Sequence, residues 1–276
     1  MKKYIAAIVP ALVLAAGLCL LLYPAVSDAW NAMHQSEVIA GYGQTVARLD
    51  SVSYEYVWDA ARAYNRALIS REDRWFPTKA EHEEYESLLN VAGSGVMGYV
   101  EIPTLSVRLP VYHGADEAVL QVGVGHVEGS SLPVGGVGTH CVLSGHRGLP
   151  SAKLFTNLDR MAVGDVFKLH VLDETLSYQV DQILVVEPGD VEPLAIDLAA
   201  DLCTLVTCTP YGVNTHRLLV RGRRIRTEEP AAPVRVASGA IRVDERKVAA
   251  LALAPLLLIA VLTALIGRAV RKTERR

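Results

Sequence analysis

The sequence predicts a mainly β fold: a closed or nearly closed β-barrel with short helices, preceded by a helical region and flanked by two transmembrane helices. From residue 98 onward, short alternating or apolar runs are separated by glycine, proline and aspartate, which is typical of many short strands. Residues 28–69 instead carry apolar side chains at three- and four-residue spacings, which indicates helices. Two apolar stretches near the ends of the chain are each long enough to cross a bilayer.

Composition favours a membrane-associated protein over a nucleic-acid-binding one. The chain has 276 residues, enough for one or two domains, and 51% of them are hydrophobic. The mean hydropathy of +0.24 is high for a soluble protein, so some apolar residues are expected to lie in lipid. A net charge of -3 gives no basic field of the kind that nucleic acid attracts, and we therefore expect no nucleic-acid partner.

The two apolar stretches predict a multi-pass membrane protein. The first covers residues 4–23, after Lys2 and Lys3, and is longer than a typical signal-peptide core, although small residues at 25–29 leave cleavage open. The second covers residues 248–267 and is followed by a basic tail. Because cytoplasmic flanks are enriched in Lys and Arg, both termini are expected in the cytoplasm and residues 24–247 outside the cell.

A helical region is predicted between the first membrane segment and the barrel. Residues 28–49 and 54–69 have helical propensity, although Gly41 and Gly43 interrupt the first of these helices. Residues 70–86 are rich in charge and are expected to form a loop followed by a short helix. This region is expected to stand between the membrane and the barrel.

Seven strands and one short helix, at residues 152–158, are predicted for the barrel. The strands are residues 98–102, 107–112, 139–143, 166–172, 177–186, 202–208 and 217–225. Residues 227–238 contain Glu, Pro and Ala and are predicted to begin a linker. The predicted segments are a transmembrane segment (1–26), an extracellular helical region (27–92), the barrel (93–226), a linker (227–247) and a second transmembrane helix with a basic tail (248–276).

One cysteine stands at the end of an apolar, β-branched run. Residues 204–208 predict a strand that ends at Cys208, Pro210 and Gly212 turn the chain, and Arg217 opens the next strand. In an antiparallel pair these strand ends lie close together, so Cys208 and Arg217 are expected to share one rim of a sheet. A thiol beside a cation ionises more easily, and the thiolate is the reactive form. The alternative is a buried structural cysteine beside a solvated strand-end arginine.

Cysteine catalysis also needs a proton donor and acceptor, and His146 is the candidate. It follows the predicted strand at residues 139–143, and histidine is the usual residue for this role near neutral pH. An ordinary turn histidine is the alternative. His216 neighbours Arg217 and therefore points to the opposite face of its strand. Packing or surface roles are expected for four further histidines: His113, His126, His140 and His170.

The run Ser144-Gly145-His146-Arg147, together with the later residues 204–208 and Arg217, resembles the sortases, which are membrane-bound cysteine transpeptidases of Gram-positive bacteria. The extended match over residues 207–222 resembles the pilus-building class C sortases in particular. The similarity runs from about residue 93 to residue 226 and implies the β-barrel that sortases have.

The resemblance also implies a mechanism and partners. Cys208 would attack the threonine carbonyl of a Leu-Pro-x-Thr-Gly (LPXTG) sorting signal, while Arg217 stabilises the oxyanion and His146 protonates the departing glycine amine. The resulting thioester would be attacked by a lysine amine of the next pilin subunit, which forms an isopeptide bond. The pilin would thus be polymerised on the outer face of the membrane.

A lid is the last feature that the resemblance implies. Class C sortases carry a loop whose acidic residue and nearby aromatic ring occupy the active-site groove, and Asp73 and Trp75 match that pattern. Family lids often have proline between the two, whereas this chain has Arg74. If the lid is present, Asp73 is expected to pair with Arg217 and Trp75 to cover Cys208. Local packing of Trp75 against the preceding helix is the alternative.

No cofactor and no metal site are expected. The four cysteines are too few and too scattered for a disulfide scaffold, and Cys19 lies within the first apolar stretch. Cys203 and Cys208 have a spacing near the zinc range, but residues five apart on a strand point to opposite faces. The glycine-rich residues 125–136 lack the ending of a phosphate loop and are expected to form a scaffold or groove wall.

Three other functions remain open at the level of sequence. A housekeeping sortase would share these residues but use a cell-wall amine and anchor proteins to peptidoglycan. A membrane-tethered assembly factor without chemistry would not need Cys208, His146 and Arg217, and a thiol-reactive probe separates it from an enzyme. A hydrolytic cysteine protease would give the same product with and without an amine acceptor.

Overall fold

The computed structural model describes residues 2–226 and contains, within them, four α-helices and eight β-strands. The helices are α1 (Lys2–Val46), α2 (Ser51–Leu68), α3 (Lys79–Ser87) and α4 (Glu117–Leu120). The strands are β1 (Val96–Ile102), β2 (Val107–His113), β3 (Val124–His126), β4 (Thr139–Ser144), β5 (Val166–Val171), β6 (Glu174–Val186), β7 (Asp201–Thr209) and β8 (His216–Ile225). The predicted linker and the second predicted transmembrane segment lie outside the described residues.

The described chain divides into two compact units. The first contains residues 2–33 and 150–152, and the Asn31 side-chain amide donates a hydrogen bond to the Ser151 carbonyl oxygen at 2.8 Å. The second contains residues 34–149 and 153–226, and the whole barrel lies within it.

Helix α1 is apolar enough, over a sufficient length, to cross a membrane. Among residues 2–226 it is the one helix with this property, over Leu12–Val46, in which an 18-residue window has a mean hydropathy of 1.8. Within residues 12–25 its apolar side chains are largely exposed, including Leu20 at 76% and Leu21 at 74%, as expected for side chains that face lipid. The apolar character predicted for the N-terminal stretch is therefore present on a helix that could serve as an anchor.

The predicted interruption of α1 at Gly41 and Gly43 is wrong, because the helix continues through both residues to Val46. A glycine in a helix costs only about 1 kcal/mol relative to alanine. Tyr42, between the two glycines, is buried at 3% exposure, and its hydroxyl donates to the Met97 carbonyl oxygen at 2.9 Å. This packing on the barrel outweighs the weak local preference.

Helices α2 and α3 are each capped at the N-terminus by a side chain that accepts a hydrogen bond from a backbone amide of the first turn. The Asp50 carboxylate accepts from Ser53 N at 2.8 Å at the start of α2, and Thr78 and Glu81 form a capping box at the start of α3. On α2, the Asn65 side-chain oxygen accepts from Leu132 N at 2.7 Å, which fixes the helix against the glycine-rich segment. The helical region and the short helix after the charged loop are thus confirmed.

The eight strands close into one barrel, in the order β1-β2-β3-β4-β7-β8-β6-β5. Strands β2 and β3 are parallel, as are β4 and β7, and the other neighbours are antiparallel. The interior is filled by side chains that are at most 1% exposed, among them Val100, Leu143, Phe167, Leu205 and Val220. Closure confirms the fold class predicted from the number of short strands, and it leaves no sheet edge unpaired.

Two local predictions within the barrel are wrong. Strand β3 lies partly inside the glycine-rich segment predicted as loop, and its three residues, with Gly125 in the middle, are too few to show an alternating pattern. The predicted α-helix at residues 152–158 is absent: residues 154–157 form turns, and a 3-10 helix begins at Leu158 and ends at Arg160. Leu154 has a φ of 38°, which lies outside the range of a right-handed helix.

Candidate active site

Cys208 and Arg217 face each other across the last antiparallel pair of the barrel. Strands β7 and β8 pair with Cys208 opposite Arg217 and Val206 opposite Leu219. The predicted common rim is therefore confirmed. Cys208 is half-buried, and Arg217 Nη1 donates to the His216 carbonyl oxygen at 3.2 Å. The guanidinium group is thus held near the turn that joins the two strands.

His146 is brought to the same edge by the parallel pairing of β4 with β7. Ser144 is the register partner of Val206, and beyond the end of β4 the amide of Gly145 donates to the Val206 carbonyl oxygen at 3.0 Å. The Thr207 hydroxyl then donates to the Gly145 carbonyl oxygen at 2.7 Å. His146 and Cys208 each lie two residues beyond the register pair of Ser144 and Val206. The two neighbouring strands therefore direct them to the same edge of the barrel.

Gly145 is required by the loop that follows His146. A side-chain carbon at residue 145 would lie 2.6 Å from the ring of Phe155, which is too close for any real contact. Phe155 is buried at 1% exposure, and its amide donates to the His146 carbonyl oxygen at 3.1 Å. The loop therefore folds back over the glycine and fixes the backbone of His146.

Arg147 ties the loop of His146 to the loop that follows Cys208. Its side chain is only 8% exposed and pairs with the Asp159 carboxylate at 2.5 Å. The Arg147 Nη1 donates to the Thr209 hydroxyl oxygen at 3.2 Å, and the guanidinium carbon lies 5.8 Å from the centre of the Tyr211 ring. These contacts make Arg147 part of the rim that carries His146 and Cys208.

Glu117 is a site residue that the sequence analysis missed. This exposed carboxylate, at the start of α4, places Oε2 at 3.4 Å from Nε2 of His146, although the geometry is too poor for a hydrogen bond. The Gln121 side-chain amide and then His146 hold the pKa of Glu117 below its usual value. Only the general enrichment of carboxylates near catalytic histidines could have suggested it, because no motif marks the residue.

Trp75 lies on the barrel face that carries Cys208. It packs, with Val206, against a buried cluster of Val142, Leu194 and Leu219. Because side chains two residues apart on a strand share a face, Val206 lies on the same face as Cys208. The apolar surface that leads to Cys208 is therefore occupied by Trp75, and Leu184 and Val186 extend it.

Arg74 holds the segment of Trp75 in place. One of its terminal nitrogens donates to the Leu194 carbonyl oxygen at 3.0 Å and the other to the Gly129 carbonyl oxygen at 3.3 Å. Its guanidinium carbon lies 4.4 Å from the centre of the Trp75 ring, and burial lowers the pKa of Arg74. Gly129, with a φ of 88°, lets this segment approach closely, since a side-chain carbon there would lie 2.9 Å from the Trp75 ring.

The expected ion pair between Asp73 and Arg217 is wrong. Among the ion pairs of the described residues, Arg217 has none with Asp73, and its guanidinium donates to backbone oxygens of the turn instead. The Asp73 carbonyl oxygen accepts from the amide of Phe76 at 2.9 Å, which closes a tight turn. Arg74, and not Asp73, attaches this segment to the rest of the protein, because its guanidinium donates to two carbonyl oxygens.

The other titratable residues of the barrel are placed apart from this edge. Cys203 is fully buried whereas Cys208 is half-buried, which confirms that they point to opposite faces. His126 and His140 are fully buried and bonded within the barrel, as packing residues would be. Among residues 2–226, no group of three or more His, Cys, Asp or Glu side chains is arranged to hold a metal ion.

Comparison with known proteins identifies the family. A family model described as the sortase domain matches residues 100–225. The crystal structure of sortase C1 from Streptococcus agalactiae is 48% identical, with a TM-score of 0.68, and the match covers 70% of this chain and 100% of that one. The chain belongs to the sortase family.

Further relatives are also sortases, and one of them is a sortase C. Sortase C from Streptococcus pneumoniae is 47% identical, covering 70% of this chain and 99% of that one with a TM-score of 0.63. A lid mutant of sortase A from Corynebacterium diphtheriae is 42% identical, covering 67% and 99% with a TM-score of 0.60. Among curated proteins, sortase D of Bacillus subtilis (strain 168) is 28% identical over 131 residues, 46% of this chain. The matched part spans about three fifths of the length of the curated relatives, 63% for sortase D.

Proposed function

We propose that this sortase is a membrane-anchored cysteine transpeptidase in which Cys208 is the nucleophile, His146 the proton donor and acceptor, and Arg217 the oxyanion-stabilising residue. The register of Cys208 with Arg217 carries the proposal, because it sets a thiol beside a multi-donor cation at one edge of a rigid barrel. The parallel pairing of β4 with β7, which directs His146 to that edge, supports it.

The reaction proceeds in two acyl transfers. The Cys208 thiol gives its proton to His146 and attacks the threonine carbonyl carbon of the sorting signal, and Arg217 donates hydrogen bonds to the resulting oxyanion. When the carbon–nitrogen bond breaks, His146 returns a proton to the glycine amine and a thioester to Cys208 remains. An acceptor amine then attacks the thioester, forms an amide and releases the thiol.

The donor is an LPXTG-type sorting signal, and the acceptor is a lysine amine of a pilin subunit. The apolar surface of Val142, Val206 and Leu219 next to Cys208 suits the leucine and proline of such a signal. The lysine acceptor is inferred from the class C neighbours, one of which, from Streptococcus pneumoniae, is described in terms of pilin substrate specificity. The N-terminal part of α1 anchors the enzyme, with the barrel on the extracellular face.

The segment of Asp73 and Trp75 is a lid that the sorting signal must displace. Trp75 occupies the apolar surface that the substrate would use, and Arg74 fastens it through two carbonyl oxygens. Release therefore breaks the two charge-assisted hydrogen bonds of Arg74 and the packing of the Trp75 ring on the apolar surface. Asp73 shapes the turn of the lid.

The test uses the full chain in detergent with a sorting-signal peptide and two acceptors, a pilin that contains a reactive lysine and a cell-wall stem peptide. We expect an isopeptide-linked product with the pilin, loss of all product with Cys208→Ala, and product retained with the matched control Cys203→Ala. Product with the stem peptide alone would identify a housekeeping sortase. Product formed by a folded Cys208→Ala protein would refute the assignment of the nucleophile.

A further inference from the structure

A second pair of cysteines lies inside the barrel, on the two strands that lead to His146 and Cys208. Cys141 on β4 is the direct register partner of Cys203 on β7. Both side chains point inward, with exposures of 2% and 0%. The proposed reaction uses neither thiol.

The spacing of the pair suits a disulfide bond. Adjacent strands lie about 4.8 Å apart, and the Cα atoms of most disulfides are about 4.4–6.8 Å apart. Because Cys141 and Cys203 are paired directly, their Cα atoms are separated by one strand spacing and their side chains leave the sheet on the same side. Both thiols are free in this structure, and their side chains are close enough to form a hydrogen bond, so a disulfide would replace an existing contact.

The two thiols of the pair differ in how readily they ionise: burial raises the pKa of Cys141, but hydrogen bonds from Cys203 and His126 outweigh burial and lower it. His126 also lies in the interior, with Nε2 at 2.9 Å from the Ser131 carbonyl oxygen and Nδ1 at 3.0 Å from the Tyr85 hydroxyl. Burial raises the pKa of Cys203 well above its usual value, so this thiol is a poor nucleophile in the folded protein.

We propose that Cys141 and Cys203 form a structural disulfide, made before the barrel closes. In the unfolded chain one thiolate attacks an external disulfide of the glutathione or thiol-oxidase type and displaces one thiol. The second cysteine then displaces the other thiol, so that two protein thiols are oxidised while one external disulfide is reduced to two thiols. The finished bond joins β4 to β7 and closes a long loop that contains His146.

Once the barrel has closed, the pleat of β7 holds Cys208 away from this pair. Cys203 and Cys208 are five residues apart and lie on opposite faces of β7, so the active-site thiol of the folded protein cannot exchange with the interior bond. The proposal is independent of the reaction assigned to Cys208, since it concerns only the inner face of the barrel.

The experiment refolds the full chain, in detergent, from urea into a buffer of reduced and oxidised glutathione. The products are unfolded again in the presence of N-ethylmaleimide, digested without reductant and analysed by mass spectrometry. We expect most molecules to yield a peptide pair linked through Cys141 and Cys203, with mass lower than the two reduced peptides by two hydrogen atoms. The link should persist in Cys208→Ala and Cys19→Ala, and be absent from Cys203→Ala.

The melting temperature is a second readout, and it distinguishes a disulfide between Cys141 and Cys203 from two neighbouring free thiols. A reducing agent present during refolding should lower the melting temperature of the wild-type chain by several degrees and leave that of the Cys141→Ala, Cys203→Ala variant unchanged. A folded wild-type protein in which both cysteines carry N-ethylmaleimide, or either carries glutathione, would overturn the proposal.

Discussion

Arg217 is the side chain whose proposed role depends most on the shape of its charged group. A planar guanidinium donates in several directions, whereas the ammonium of lysine is a point charge on a flexible chain. We therefore expect Arg217→Lys to lower kcat/KM for the sorting-signal peptide roughly 100-fold, the scale of losing one oxyanion donor. Arg223→Lys, on the same strand and half exposed, is the matched control and should be close to wild type. A near-native rate for Arg217→Lys would make Arg217 a bystander.

Arg147 is a positioning residue, since it acts through the loops that it joins. Because it contacts Asp159 and Thr209, its replacement by glutamine should loosen the alignment of His146 with Cys208 and lower kcat roughly 10- to 100-fold with little change in KM. The pH dependence of Cys208 alkylation should change as well, and Arg147→Lys should restore part of the rate. If stability falls but the alkylation profile stays as in wild type, Arg147 serves the fold alone.

His140 makes the barrel sensitive to acid. It is buried, with Nδ1 at 2.8 Å from the Ala195 carbonyl oxygen and Nε2 at 2.7 Å from the Thr204 hydroxyl. Burial lowers its pKa, and Arg221 and Arg74 lower it further. The unfolded chain therefore binds the proton more readily, so this contribution to stability is complete above the unfolded pKa of about 6.5 and is lost as the pH falls through the lower folded pKa.

The melting temperature between about pH 7 and about pH 5 measures this effect. It should fall less for His140→Gln than for wild type. His82 is the control, because its hydrogen bond to Glu128 raises its pKa and its contribution is lost in the opposite direction, as the pH rises. His82→Gln should therefore keep the acid sensitivity. Equal slopes for wild type and His140→Gln would assign the sensitivity to another group.

At the scale of elements, the lid is the feature that can be tested without substrate. Trp75→Ala and Arg74→Ala should each speed the modification of Cys208 by a small thiol reagent about tenfold, the factor that corresponds to about 1.4 kcal/mol of lost lid contact. Phe76→Ala is the matched control, since this neighbouring ring is 83% exposed. An unchanged rate in both lid variants, with folding intact, would count decisively against a lid at this position.

Elements with a strong local pattern were predictable, and contacts between distant loops were not. The strand that ends at Cys208 shows in the sequence because its apolar run, turn and following strand are contiguous. Strand β3 was missed because three residues carry no alternation, and the helix placed at residues 152–158 was excluded by the left-handed Leu154.

In the candidate active site, too, contacts within one hairpin were predictable from the sequence and contacts between distant segments were not. The register of Cys208 with Arg217 follows from one hairpin, so the sequence was sufficient for it. The contact of Glu117 with His146 and that of Arg74 with Leu194 join segments far apart in the chain, and only the folded barrel brings them together. The pairing of Asp73 with Arg217 was expected from the family pattern, but the guanidinium of Arg217 donates to backbone oxygens of its own turn.

At the scale of the whole molecule, the barrel fixes the positions of His146 and Arg217 relative to Cys208. Strand β7 is paired to β4 on one side and to β8 on the other, and it is therefore the shared neighbour of the strands that lead to His146 and Arg217. A closed sheet has no free edge along which these strands could slip. The chemistry proposed for Cys208 thus depends on the closure of the whole barrel.

The central claim is that Cys208 carries the acyl group between donor and acceptor. The most direct measurement is the intact mass of the full chain after brief incubation with a sorting-signal peptide in the absence of any amine. We expect one adduct that carries the peptide up to its threonine and that digestion locates on Cys208. Hydroxylamine should remove this adduct, and an added amine should convert it to an amide. The adduct should be absent from Cys208→Ala. An adduct on another residue, or hydrolysed peptide as the sole product when amine is present, would contradict the account.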